Sequence, residues 1–119
     1  MKRDMELARL ILMRIEAQES YQDNISCEFE GYTDEQVHYH IMLLNEAGLV
    51  VALDTSSMQD IHWIPQRLTW QGHEFIESAR DNTIWNKAKG LMAKTGGFVF
   101  EVAKPLLISL LKQQLGLPS

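Results

Sequence analysis

Between Thr33 and Trp63 the chain has neither lysine nor arginine, although five carboxylates fall there: Asp34, Glu35, Glu46, Asp54 and Asp60. A surface built from that stretch repels polyanions, because affinity for nucleic acid comes largely from cations that replace counterions at phosphates. Cysteine is almost absent too. Cys27 is the single one in 119 residues, which excludes an intramolecular disulfide and points to a reducing compartment. No apolar run reaches the roughly 18 uncharged residues that span a bilayer, so no integral membrane association is expected. The start, MKRDMELARL, lacks the apolar core of a signal peptide. The expectation is a cytoplasmic protein.

Chemistry-bearing constellations are also scarce. No Ser/His/Asp arrangement, phosphate loop or metal-ligand spacing is present. His38 and His40 sit two apart, about 200° around a helix, and cannot share a ligand face. His73 and Glu77 are four apart and read as a surface pair. Asp34 and Glu35 suit the first turn of a helix, where the dipole favours negative charge. The residues therefore predict no enzyme, no cofactor and no metal site.

What is present is a charge asymmetry. Residues 1 to 79 carry 5 Lys/Arg against 14 Asp/Glu, while residues 80 to 119 carry 6 against 2. An acidic body with a basic tail suits pairing of the two, within one chain or between copies.

Met5, Ala8, Ile11, Leu12 and Ile15 recur at helical spacing, with Asp4 placed to cap the start. Ile25, Cys27 and Phe29 alternate with polar neighbours, predicting a short strand that Gly31 ends. Thr33 and Gln36 form a capping-box pattern before a helix with Val37, Ile41 and Leu44 lining one face, His40 beside them, and Gly48 as its stop. LVVAL and IHWIPQRL then predict a β-hairpin with a loose tip, Pro65 marking an edge or a bend. A third helix from about Thr69 has Trp70, Phe75, Ile76 and Ala79 as its expected buried side. A fourth follows from Asn82, with Ile84, Trp85, Ala88, Leu91 and Met92, and Gly96-Gly97 would break it. Pro105 suits the first turn of a last helix.

This order predicts an α+β fold: a winged-helix-like domain over residues 1–81, with a degenerate helix-turn-helix and a β-hairpin wing, then a C-terminal helical extension over 82–119. The segments MKRDMELARLIL, VHYHIMLLNEAGLV and LTWQGHEFIESARDNTIWNKAK together resemble a bacterial family, domain of unknown function 2513, from Met1 to about Lys89. Its members often occur in prophages and mobile elements. The resemblance implies a winged-helix-like fold and carries over no catalytic residue, cofactor or partner.

Function was therefore sought on the surface. Opposite Val37, Ile41 and Leu44, the second helix carries Glu35, Tyr39, Met42 and Glu46, flanked by Gln36 and Leu43 on one side and His38 and Asn45 on the other. Glu35, Gln36, Tyr39, Met42, Leu43 and Glu46 make an amphipathic face of the kind protein interfaces favour. The leading expectation is a protein partner, with self-association through Leu106, Leu107, Leu110 and Leu111 as a possible homodimer. The alternative is a DNA-binding regulator whose phosphate contacts come from Lys2, Arg3, Arg9 and Arg14.

Overall fold

The computed structural model describes residues 1–20, 24–94 and 100–116. It is a mixed α+β protein: α1 (Met5–Glu16), α2 (Asp34–Glu46), β1 (Val50–Asp54), β2 (Trp63–Leu68), α3 (Trp70–Ala79), α4 (Asn82–Ala93) and α5 (Phe100–Leu115). The chain divides into two compact units, Met1–His73 and Glu74–Ser119, with the division inside α3.

In the first unit α1, α2 and the hairpin pack on one another. Leu7, Ile11, Leu12, Val37, Ile41 and Val50 are buried there, each worth about 1.5–3 kcal/mol when fully removed from water. The expected caps are present. Asp4 accepts from the backbone N–H groups of Glu6 and Leu7, and Thr33 and Gln36 close a capping box. His40 joins the two helix starts. Its Nε2 accepts from the Asp4 N–H at 2.8 Å, which leaves Nδ1 to donate to the Gln36 carbonyl at 2.7 Å.

The two strands pair antiparallel from Val50↔Leu68 to Asp54↔Trp63, with an irregularity between Val51 and Ala52. Pro65, opposite Ala52, has no N–H to offer. Separately, Asn45 Oδ1 accepts the Ala52 N–H at 3.1 Å, tying the bent strand to α2.

At the base of the hairpin, Gly48 takes φ +76° and ends α2. The Thr69 N–H donates to the Leu49 carbonyl at 2.9 Å, the Thr69 hydroxyl donates to the Gly48 carbonyl, and the Gly72 N–H donates to Thr69 Oγ1 at 3.0 Å. Gly72 is buried against this junction. A Cβ built on it would overlap the Leu49 carbonyl oxygen and lie 3.3 Å from Leu68 Cβ.

In the second unit α4 and α5 pack together. Ile84, Trp85, Ala88, Met92, Ala103 and Leu107 are buried, and Phe75 meets Trp85 edge-on at 6.4 Å. Lys104 Nζ pairs with Glu74 at 2.9 Å.

Several expectations are corrected. Residues 24–29 form no strand; their burial alternates as expected, but among the described residues no strand pairs with them, and their carbonyls are met by the Arg14 guanidinium at Ser26 and the Tyr32 N–H at Phe29. Trp70 is 78% exposed, because it lies about 140° around α3 from Phe75 while Gly72 takes the inward position. Leu91 is 44% exposed, off the α4 face that carries Ile84, Trp85, Ala88 and Met92. Pro105 sits inside α5 rather than in its first turn, since the helix already starts at Phe100. The lost hydrogen bond there, about 3 kcal/mol in a helix interior, is offset by the burial of Ala103 and Leu107 on either side. The expected break at Gly96-Gly97 lies outside the described residues.

Gly72→Ala is expected to lower folding stability by about 1–3 kcal/mol, the cost of overpacking, although alanine is otherwise the better helix former. Urea unfolding of the two proteins measures it; an unchanged or raised midpoint contradicts the close contact with Leu49.

Candidate functional site

The outer face of α2 is divided by what packs beside it. On one flank Gln36 is committed to the capping box, accepting the Thr33 N–H at 2.9 Å, and Tyr39 stands edge-on to His40 at 5.9 Å. On the other flank Asn45 holds Ala52, and His38 Nδ1 accepts the Trp63 N–H at 3.0 Å. Leu43 is half-buried, and Glu35 and Glu46 remain exposed. The six residues expected to share one face are thus split. Glu35 borders a cleft with Asp60, Ile61 and His62, while Met42 turns to the hairpin tip.

That tip, residues 55–62, is ordered rather than loose. The Thr55 N–H donates to the His62 carbonyl at 2.8 Å, and the Ser57 N–H to the Asp60 carbonyl at 2.9 Å. Asp54 Oδ1 accepts the Ser56 N–H at 2.9 Å, Ser56 Oγ accepts the His62 N–H at 2.9 Å, and Ser57 Oγ accepts the Asp60 N–H at 3.2 Å. Such Asp and Ser side chains imitate backbone turns. The hydrogen bonds from Ser56 also hold the Asp54 carboxyl below the usual carboxylate range.

The ordered turn displays Met58, fully exposed at its apex, and Leu53, 51% exposed just before it. Behind the apex lies a shallow cleft of about 280 Å³, lined by Met42, Asp54, Met58, Asp60, Ile61 and Trp63. Ser56, Ser57 and Gln59 complete its lining, which polar and apolar side chains share.

A second cleft, about 400 Å³, runs beneath the start of β2 past Cys27, Asp34, His38, His62 and Trp63. The rings of His38 and His62 lie 4.5 Å apart, tilted by 32°. Burial, and then the proximity of His62, hold His38 below its ordinary imidazole value. Burial pushes the Cys27 thiol up to about 11, which leaves it a poor nucleophile. Among the described residues no group of three or more His, Cys, Asp and Glu side chains is arranged to hold a metal ion.

Of the cations proposed for phosphate contact, Lys2 and Arg3 are exposed. Arg9 is only 3% exposed and pairs with Glu6 at 3.4 Å, so its guanidinium is off the surface. Arg14 spends its guanidinium on the Ser26 carbonyl and Gln18 Oε1. In α5, Leu107 is buried within the chain, and Leu106, Leu110 and Leu111 are half-buried. Among the described residues no helix is long and apolar enough to cross a membrane.

The sequence pattern points to α2, and Leu53 and Met58 carry no comparable periodic signal. The signal there is one of spacing: Asp54 and Ser56 are spaced for one side-chain turn, and Ser57 and Asp60 for another.

A family model described as "Hypothetical protein (DUF2513)" matches residues 2–98. An "Uncharacterized protein" of Haemophilus influenzae is 41% identical over 90 residues, covering 75% of this chain and 76% of that one. No solved structure matches the chain.

The lowered His38 value has a consequence for stability. A group whose proton is held less tightly in the fold than in the unfolded chain stabilises fully above its ordinary value of 6.5. That contribution is lost as pH falls through this value towards the lower one of the folded state. The unfolding midpoint is therefore expected to drop from about pH 8 to about pH 5, and to drop less in His38→Gln. Equal pH slopes in the two proteins count against it.

Proposed function

The chain belongs to the DUF2513 family, and we propose that it is a winged-helix-like docking protein that binds another protein chain through the tip of its wing. The winged-helix reading is supported by the order α1, α2, hairpin, α3, with α2 leading through Gly48 directly into the first wing strand. The extended segment 24–29 occupies the place where the usual module carries a further helix.

The observation that carries docking is the tip itself: Met58 and Leu53 exposed on a hydrogen-bonded turn, beside a cleft that Met42, Ile61 and Trp63 line together with Asp54 and Asp60. Covering either apolar side chain is worth up to about 1.5–3 kcal/mol, whereas an exposed ion pair contributes about 0–1 kcal/mol. The apolar apex therefore supplies affinity, and the carboxylates select the partner. A complementary segment presents an apolar side chain flanked by Lys or Arg.

DNA is a poorer match to the same surface. Arg9 is buried and Arg14 engaged, so of the proposed phosphate contacts Lys2 and Arg3 alone are exposed. DNA binders commonly make about 6–10 phosphate contacts, and here five carboxylates lie between Thr33 and Trp63.

Photo-crosslinking from position 58, with Met58 replaced by p-benzoylphenylalanine in cells of the native host, tests the proposal. The expected outcome is a discrete protein adduct that disappears when D60K is added and persists when K2A and R3A are added. An adduct to nucleic acid, or none at all, overturns it.

A further inference from the structure

We propose that the partner at the wing tip is a second copy of this chain, which presents the outer face of α4. The inference rests on the wing tip being a docking surface and names its occupant.

The inner face of α4 is spent on Ile84, Trp85, Ala88 and Met92, all buried. Lys87, Gly90, Leu91 and Lys94 lie together on the outer face, at the three- and four-residue spacings that bring helical side chains side by side. Lys87 and Lys94 are exposed, one turn before and one turn after Leu91, which is itself 44% exposed. Gly90 keeps the centre of this face low, since a Cβ there would meet nothing within 4 Å. The face is therefore an apolar side chain between two ammonium groups. The wing tip is its complement, with Met42, Met58 and Trp63 at the cleft and Asp54 and Asp60 around it.

Charge decides which surfaces meet. The unit Met1–His73 carries 5 Lys/Arg against 12 Asp/Glu, and the unit Glu74–Ser119 carries 6 against 4. A wing-to-wing contact would set Asp54 and Asp60 against their own copies, and an α4-to-α4 contact would oppose lysines. Only the unlike pair attracts. The contact is heterologous, with each copy owning both halves. It also differs in place from one made through the α5 leucines, of which Leu107 is already buried within the chain. Electrostatic complementarity of this kind governs encounter and specificity, and the apolar contact then governs residence.

Charge exchange tests the pairing. Asp60 is a suitable site, because the turn uses its backbone N–H and carbonyl while its carboxylate makes none of the turn's hydrogen bonds. By light scattering, the full chain should exceed the mass of one copy as concentration rises, and return towards it at high salt. D60K alone, K87E/K94E alone and L91D should each weaken association by about tenfold or more. Mixing D60K with K87E/K94E should restore it, because the intact wing of the second then meets the intact helix of the first, while the reversed wing meets the reversed helix. Circular dichroism melting of each variant confirms that it is folded. A wild-type chain that stays at the mass of one copy, a variant that associates undiminished, or a mixture that fails to recover overturns the proposal. The cross-link from position 58 separates the two levels. An adduct of twice the chain's mass supports self-association; an adduct to a different protein rejects the second copy and leaves docking intact.

Discussion

The close approach of Gly72 to the Leu49 carbonyl is the constraint on which the first unit depends. Four segments meet there: the end of α2 at Gly48, the start of β1 at Val50, the end of β2 at Leu68 and the first turn of α3. Thr69 binds three of them at once, donating through its backbone to Leu49, through its hydroxyl to Gly48, and accepting from Gly72 through the same hydroxyl. No side chain fits between helix and carbonyl, so the spacing is set by backbone against backbone. The left-handed turn at Gly48 supplies the reversal, since a residue with a β-carbon is strained at that φ. With the base of the hairpin fixed in this way, its direction across α2 is fixed as well.

The other end of the hairpin is held from α2, by Asn45 at Ala52 and by His38 at Trp63. These two polar side chains are therefore structural, although on a helical projection they flank the outward face. Their use has a cost for any ligand that would read α2 in the manner of a DNA-recognition helix. One flank is occupied by the wing, the other by the contacts among Gln36, His40 and Asp4, and the strip between them is bounded by Glu35 and Glu46. Apolar surface remains open at the tip of the hairpin, where Leu53 and Met58 are exposed.

How much of this was legible depended on the range of the interaction. Caps, the box at Thr33 and Gln36, and the stop at Gly48 are local, and each was visible in a few residues. The inward residues of α2 were visible because helical period alone places them. Residues 24–29 show the limit: the alternation was a true signal of burial, but a strand also needs a partner, which no local pattern supplies. Trp70 failed for a geometric reason, its size suggesting burial while its position around α3 placed it outside. Gly72 carried the missed signal, since a glycine within a helical pattern marks a close approach. The tip was read as loose because its residues are polar. Their spacing, rather than their polarity, held the information, and it concerned the part of the surface that best suits a partner.

An ordered tip also changes the energetics of binding. A flexible loop loses conformational entropy when it docks, roughly 1–2 kcal/mol for each residue whose backbone becomes fixed. Here Asp54, Thr55, Ser56, Ser57, Asp60 and His62 already restrain one another in the chain itself, so much of that cost is met on folding. The same hydrogen bonds hold the Asp54 carboxyl below the usual carboxylate range, and it stays exposed while lining the cleft. A carboxylate at the centre would have to be desolvated by any apolar partner, at a cost exceeding the gain from covering Met58. Exposed as it is, Asp54 stays hydrated, repels a second hairpin tip, and attracts a lysine or arginine set beside an apolar residue. The exposed Met58 and Leu53, the hydrated carboxylates and the hydrogen-bonded turn are what the proposed docking of a protein segment rests on, and the absence of cations from Thr33 to Trp63 belongs with them.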